Sequence, residues 1–416
     1  MRIPVCLIAF VVSMAASPAW ASPVDLFGFG ARGVGLAGTI VSMPRGFESI
    51  YYNPSGLAFE RRASVGLGYQ FGALHLEVDG QEVNTRDIPA LTIGFAVPLP
   101  LGGPLAERLS LGLGFVIPQT SILVTDIERP SEPSFPVLAN RAQTVSIQAA
   151  LGIRITDWLA VGVGTIALAA LDGEIIVEPN AAGRIGSRVR DELMADYALV
   201  AGALVRPLDN LQFGIQGRTE SKADFNLPLR ADLGEQFTIP IPTIEIRGTA
   251  QYDPAQVTFE ASGRPLPWLT VAAGIRWENW ATFPMPIAYS AVPEGTAPQP
   301  KPNFHDTIAF NLGIELDLEL AKDVHLLPRC GFRFEPSPAP AQTGFHNHLD
   351  SDRAIGAIGL GLRWGQFRFD MAGQYHDLAT RKHTKVAGTP DTNPGFPTIE
   401  GSGHLLMGSF ELGIEL

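Results

Sequence analysis

The stretch Ile308-Ala309-Phe310-Asn311-Leu312-Gly313-Ile314-Glu315-Leu316-Asp317 carries a large apolar side chain at every even position and Ala, Asn, Gly, Glu or Asp at every odd one. Side chains alternate faces along a strand, so this period of two predicts a strand that is apolar on one side and wet on the other. The pattern repeats where Leu211, Phe213 and Ile215 alternate with Gln212, Gly214, Gln216 and Arg218, and where Phe367, Phe369 and Met371 alternate with Arg368 and Asp370. Phe410, Leu412, Ile414 and Leu416 end the chain in the same way. Working outward, the segments that read as strands are 63–72, 91–98, 109–117, 144–155, 159–169, 197–206, 211–218, 256–263, 269–277, 307–316, 324–335, 354–363, 366–376 and 405–416. They make about fourteen, an even number as in bacterial outer-membrane barrels.

A soluble β-sandwich or propeller would also alternate, and the connections separate the two. Thr156-Asp157-Trp158, Pro207 to Asn210, Arg264 to Trp268 and Trp364-Gly365 are short links. Residues 118–143, 170–196, 219–255, 278–306, 336–353 and 377–404 are long ones. Short and long alternate along the chain, as an up-and-down antiparallel barrel with short periplasmic turns and long outer loops requires. A sandwich has no reason to sort its loops in this way. Trp158, Trp268 and Trp364 all fall at short turns, where an aromatic girdle belongs, and Trp277 and Trp280 fall at the opposite end. Within the outer loops, Ser187 to Tyr197 reads as a short helix, with Val189, Leu193 and Tyr197 on one face. The best candidate for a membrane helix after the N-terminal region, Leu159 to Leu171, falls well short of the ~20 apolar residues needed.

At the N-terminus, Arg2, an apolar run from Ile3 to Ala16 and the small-residue site Ala19-Trp20-Ala21 read as a signal peptide, residues 1–21. Residues 22–62 are Gly-rich without strand alternation and are well placed to fold back as a plug, leaving 63–416 as the barrel. With Cys6 removed, Cys330 is alone and forms no intramolecular disulfide. A net charge of −12 argues against a nucleic-acid partner.

Gly28, Gly30 and Gly33 match G-x-G-x-x-G, as do Gly33, Gly35 and Gly38. The dinucleotide fingerprint needs a buried strand before it within a βαβ unit. Here a signal peptide precedes and Tyr51-Tyr52-Asn53-Pro54 follows, so close backbone packing inside a barrel is the better reading. His346, His348 and Asp350 have metal-ligand spacing but sit on a polar loop, and no metal or cofactor is expected. No G-x-S-x-G elbow occurs. The chain does not read as an enzyme, although a membrane-facing Ser and His pair would need no local motif. Arg218, Arg276 and Arg333, with Arg363 and Arg368, fall on the wet faces, where they pair with neighbours such as Glu315 and Asp370 or meet the carboxylate of an amphiphile. Trp280, Phe283, Met285, Ile287 and Tyr289 are apolar groups on an outer loop; they contact a ligand, membrane or partner, or fold over the barrel mouth.

Several of these segments resemble the FadL/TodX family of outer-membrane transporters for long-chain fatty acids and hydrocarbons. Gly30-Ala31-Arg32-Gly33 leading to Tyr52-Asn53-Pro54-Ser55-Gly56-Leu57 resembles the family's plug signature, with Ser55 where Ala is usual. Phe334-Glu335-Pro336-Ser337-Pro338-Ala339-Pro340-Ala341-Gln342 and Leu349-Asp350-Ser351-Asp352-Arg353 resemble its Pro-rich and Asp-x-Asp-Arg loop. Trp277-Glu278-Asn279-Trp280 and Phe304-His305-Asp306-Thr307 add to the likeness. The resemblance implies a monomeric fourteen-stranded barrel in the outer membrane of a Gram-negative bacterium, surrounded by lipid and lipopolysaccharide. A hatch carrying Asn53, Pro54, Ser55 and Gly56 closes it, and hydrophobic cargo passes from apolar outer loops to a lumenal pocket and out sideways. The alternative is an adaptor that shares the plug signature and binds exported proteins through loops 219–255 and 278–306.

Overall fold

The computed structural model describes residues 24–119, 123–124, 131–139, 143–179, 185–226, 228–231, 247–288 and 301–416. The signal peptide expected at 1–21 and part of the long loops lie outside them. Fourteen strands build the wall: β1 (Ser64–Val78), β2 (Ile88–Pro98), β3 (Leu109–Pro118), β4 (Ser146–Arg154), β5 (Leu159–Pro179), β6 (Ile185–Leu208), β7 (Leu211–Arg218), β8 (Gln256–Leu266), β9 (Leu269–Glu278), β10 (Thr307–Leu316), β11 (Val324–Glu335), β12 (Arg353–Trp364), β13 (Phe367–Thr384) and β14 (Thr398–Glu415). Each pairs antiparallel with its neighbours in sequence. β14 then pairs with β1 from Ser64↔Glu415 to Val78↔Gly401, closing the sheet without an edge.

The alternation sorts as the sequence requires. Leu67, Tyr69, Phe71, Ile308, Phe310 and Leu312 point outward and are exposed, whereas Gln70, Arg329 and Glu315 point into the lumen and are buried. Trp158, Trp268 and Trp364 stand exposed on the outer wall at the short turns. One expectation fails: Ser187 to Tyr197 is not a helix but part of β6, where Asp191 to Tyr197 pair with Gly173 to Ala167 of β5. A helix that short is marginal in isolation, and a facing strand offers every peptide group a partner. The link expected at 170–196 is largely this β5–β6 hairpin.

Residues 24–60 fill the lumen. They form short helices α1 (Val24–Phe27), α2 (Ala31–Gly35) and α3 (Ser49–Tyr52), with tight 3₁₀ turns at Gly46–Glu48 and Pro54–Phe59. Phe29, Leu36, Ile40, Phe47, Ile50 and Leu57 pack with small wall residues such as Ala90, Ala150 and Ala198. Where the plug comes closest, the wall has no side chain at all. A Cβ at Gly66 or Gly94 would overlap the Phe47 ring, one at Gly162 the Pro54 carbonyl carbon, and one at Gly331 the Leu36 carbonyl carbon. Gly35 of α2 lies directly on Gly359 of β12. The abundant lumenal glycine is therefore the imprint of the plug.

Gly331→Leu, a substitution in a strand with ordinary backbone angles, should leave the barrel able to assemble while forcing the plug off its seat. The expected result is a higher single-channel conductance in planar bilayers than the wild type, with unchanged heat-modifiable migration.

Candidate functional site

The sequence-predicted hatch motif is a fastener. The Asn53 amide donates to the carbonyl of Val41, 2.9 Å away in the plug, and of Ala203, 3.2 Å away on β6. Its Oδ1 accepts from the Ser55 hydroxyl at 2.6 Å and the Ser55 backbone N–H at 3.2 Å, capping the turn that Pro54 opens. Gly56 lies against the Pro44 ring, where a side chain has no room. All four motif residues are buried. Wall side chains satisfy further plug groups: Glu411 accepts from Ala31 N–H at 3.1 Å, Glu260 from Ser42 N–H at 2.9 Å and its hydroxyl at 2.7 Å. Arg32 forms an ion pair with Glu315 at 2.8 Å. Gly28, Gly30 and Gly33 cradle no phosphate, since the spaces a Cβ would need are taken by the Tyr52 hydroxyl and ring and the Glu48 carboxylate.

Between plug and wall lie two small cavities, of about 40 and about 20 Å³. They bring together the three sequence-predicted arginines. Arg218 pairs with Asp25 of α1 at 2.5 Å and donates to the Tyr51 hydroxyl at 3.2 Å. Arg276 pairs with Glu278 at 3.1 Å and Glu335 at 2.5 Å, and Arg333 with Glu335 at 3.0 Å. A fourth cation, Arg353, reaches Glu335 through one nitrogen at 2.9 Å. Its Nε and Nη1 are buried and have no acceptor among the described residues. Such donors are costly to leave unpaired.

Over this chamber sits an aromatic lid. Phe283 stacks on Phe304 with centroids 4.3 Å apart, and Tyr252 meets Phe283 edge-on at 5.7 Å and Trp280 at 6.1 Å. Trp280 also lines the smaller cavity beside Arg218, Arg276 and Arg353. Trp280 and Phe283 are thus not displayed to solvent: Trp280 is buried, Phe283 half-buried, and the described start of the loop turns inward because the rings find each other there. The side chain of Ile287 and all of Tyr289 lie outside the described residues. Sequence reasoning missed Asp25, Tyr252, Phe304, Glu335 and Arg353 as parts of one chamber. Phe304, Glu335 and Arg353 had a signal, since each lies in one of the stretches that carry the resemblance; Asp25 and Tyr252 had none.

A hatched, closed barrel with a charged chamber under an aromatic lid can be compared with known proteins. Residues 12–397 match the family of outer membrane protein transport proteins (OMPP1/FadL/TodX). The chain belongs to this family. Among solved structures it is similar to a Pseudomonas aeruginosa FadL homologue, at 13% identity over 95% of this chain and 98% of that one, with a TM-score of 0.63. The toluene transporters TodX of P. putida and TbuX of Ralstonia pickettii each match at 13% identity over 94% of this chain and 99% of theirs, with TM-scores of 0.56. No curated protein gives a significant sequence match. The protein is an outer-membrane transport barrel of the FadL/TodX type.

In this FadL/TodX barrel the outer loops carry one further cluster. The Ser134 hydroxyl lies 3.5 Å from Nδ1 of His348, and Asp350 accepts from the Ser337 hydroxyl at 2.6 Å. This Ser and His pair is buried among loops, away from the membrane face. Burial, then the neighbouring His346 and Lys385, push the His348 imidazole down to about 3, which leaves it a weak base. Burial likewise pushes the Lys385 ammonium down to about 8. No group of three or more potential metal ligands occurs among the described residues.

Two outcomes follow from this geometry. Asn53→Ala removes the partner of two carbonyls, a hydroxyl and a backbone N–H, so hydrogen-exchange protection of the plug should weaken by about 1–3 kcal/mol while the barrel strands keep theirs. For His348, a folded-state pKa below the ordinary 6.5 means that protonation favours the open loops. Their stability is intact above 6.5 and declines as pH falls toward 3. Protection of the Ser134 and Leu349 amides, which bond across this cluster, should fall over that window and not above it.

Proposed function

We propose that the protein passes hydrophobic molecules across the outer membrane without an energy source and without chemistry on the cargo, and that it takes long-chain carboxylic acids ahead of neutral hydrocarbons. The observation that carries the preference is the Arg353 guanidinium, whose Nε and Nη1 are buried beside Trp280 and unclaimed among the described residues. With Nη2 held by Glu335, either of the two offers a carboxylate oxygen a single charge-assisted hydrogen bond. A chain attached to that head would lie against Trp280, Phe283, Tyr252 and Phe304.

The present state is closed. Pockets that hold small molecules are typically ~300 Å³ or more, several times the larger lumenal cavity of about 40 Å³. Passage therefore requires the lid to part and the plug to shift along its glycine-lined seat. A dry route suits such cargo, since each methylene kept from water is worth roughly 0.8 kcal/mol. The barrel works as a single chain bounded by lipid, its outward residues supplying the apolar surface.

The test is uptake of radiolabelled oleate and toluene by an uptake-deficient host carrying the wild type or Arg353→Met, with insertion of both verified. The wild type should raise uptake over empty vector. Arg353→Met should cut oleate uptake by about tenfold, the weight of one charge-assisted hydrogen bond, and leave toluene unchanged. Equal loss of both, or loss of neither, would reject the acid preference, and no gain with the wild type would reject transport of these cargoes.

A further inference from the structure

On the lipid side, the wall carries a dent of about 480 Å³ spanning β12, β13, β14 and β1. Its centre is a cross-strand pair of outward glycines, Gly373 and Gly408, flanked in the same row by Ile358 and Phe71. Met371, Phe410 and Tyr69 form its lower rim. A side chain at Gly408 would meet nothing within 4 Å, so packing within the protein does not explain its absence. At ~3.4 Å per residue and a tilt near 40°, Gly373 stands roughly 15 Å above the periplasmic end of β13 at Phe367, inside an apolar band about 25 Å tall. A hollow there opens onto hydrocarbon and is filled by it.

Two rows higher the same strands turn polar. Asp377, His404 and His75 lie side by side on the outer surface. His404 stacks between His75, 4.9 Å away, and Tyr375, 5.6 Å away, and Nδ1 of His75 meets Glu82 at 3.2 Å. By the same rise, this row sits roughly 25 Å up, at the outer edge of the apolar band. An apolar hollow with a polar row above it matches the chain and head of a lipid whose head lies in the outer leaflet. The row mixes imidazoles, which suit phosphate, with carboxylates and a phenol, which suit sugar hydroxyls.

We propose that this face binds one lipopolysaccharide molecule, an acyl chain in the Gly373–Gly408 dent and the phosphate-bearing sugar head on His75, His404 and Asp377. The site depends on the barrel's place in the outer membrane and is independent of what the lumen carries.

Native mass spectrometry of the purified full-length barrel tests it, with rough lipopolysaccharide and phosphatidylethanolamine offered at equal concentration. The wild type should retain lipopolysaccharide at one per barrel. Gly408→Leu, which fills the dent without a clash, should lower retention by about tenfold, the weight of roughly two buried methylenes. His404→Leu should lower it without disturbing the dent, and Phe310→Leu on β10 should not change it. Retention by Gly408→Leu and His404→Leu equal to the wild type's would overturn the site, as would preferential retention of phosphatidylethanolamine by the wild type.

Discussion

A chain that crosses hydrocarbon cannot leave a peptide group unpaired, and everything else in this molecule depends on that demand. It forces the strands to close, β14 onto β1. Closure creates a lumen, which would be a hole in the membrane unless filled. The filling is a non-strand segment with its own unpaired backbone, so the wall must supply acceptors inward as well. Glu411 and Glu260 take N–H groups of Ala31 and Ser42, and the amides of Gln70 and Gln374 donate to carbonyls of Gly28, Phe27 and Val34. Between these points the plug rests on glycine.

The lumenal charges follow from the same enclosure. Buried ions are expensive singly, and most of those described here sit in groups. Glu315 serves Arg32 and Arg329 at 2.8 Å each and Arg45 at 3.4 Å. Glu335 serves Arg276, Arg333 and Arg353. The two centres differ in what they join. Around Glu315 two of the three arginines belong to the plug, so that group ties plug to wall. Around Glu335 all partners come from the wall, and the group forms a standing rim against which α1 presents Asp25 to Arg218. The plug is thus held by a few polar ties and by shape, a mode of attachment that can be released without unpairing a strand.

The wall was legible in the sequence because its cause is local. Period two in Thr307–Leu316 or Phe367–Thr384 reports which side of a strand meets lipid, and loop lengths report which end meets which compartment. The β5–β6 extension was not legible. Ser187 to Tyr197 has helical spacing, and only the facing residues of β5, distant information at that point, turn it into a strand. The hatch motif could be found from its residues, but its action could not, since Asn53 works through the carbonyl of Ala203, 150 residues away. Arg218, Arg276 and Arg333 were readable as inward-facing and not as neighbours, because their meeting is set by barrel geometry. Arg353, the first residue of β12, and Phe304, in the connection before β10, enter the chamber at places that no periodicity encodes.

The plug also bears on how the barrel is made. It is the first described part of the chain, and it touches both sides of the seam: Phe47 lies on Gly66 and Gly94 of the first two strands, and Ala31 is bound by Glu411 of the last. The seam is therefore matched to two templates, the edge of β1 and the plug. A slip of one residue would turn Glu411 outward into lipid and present Phe410 or Leu412 to the N–H of Ala31. The wrong register would then be penalised twice, once against the sheet and once against the plug, so the segment that seals the finished pore also favours its correct closure.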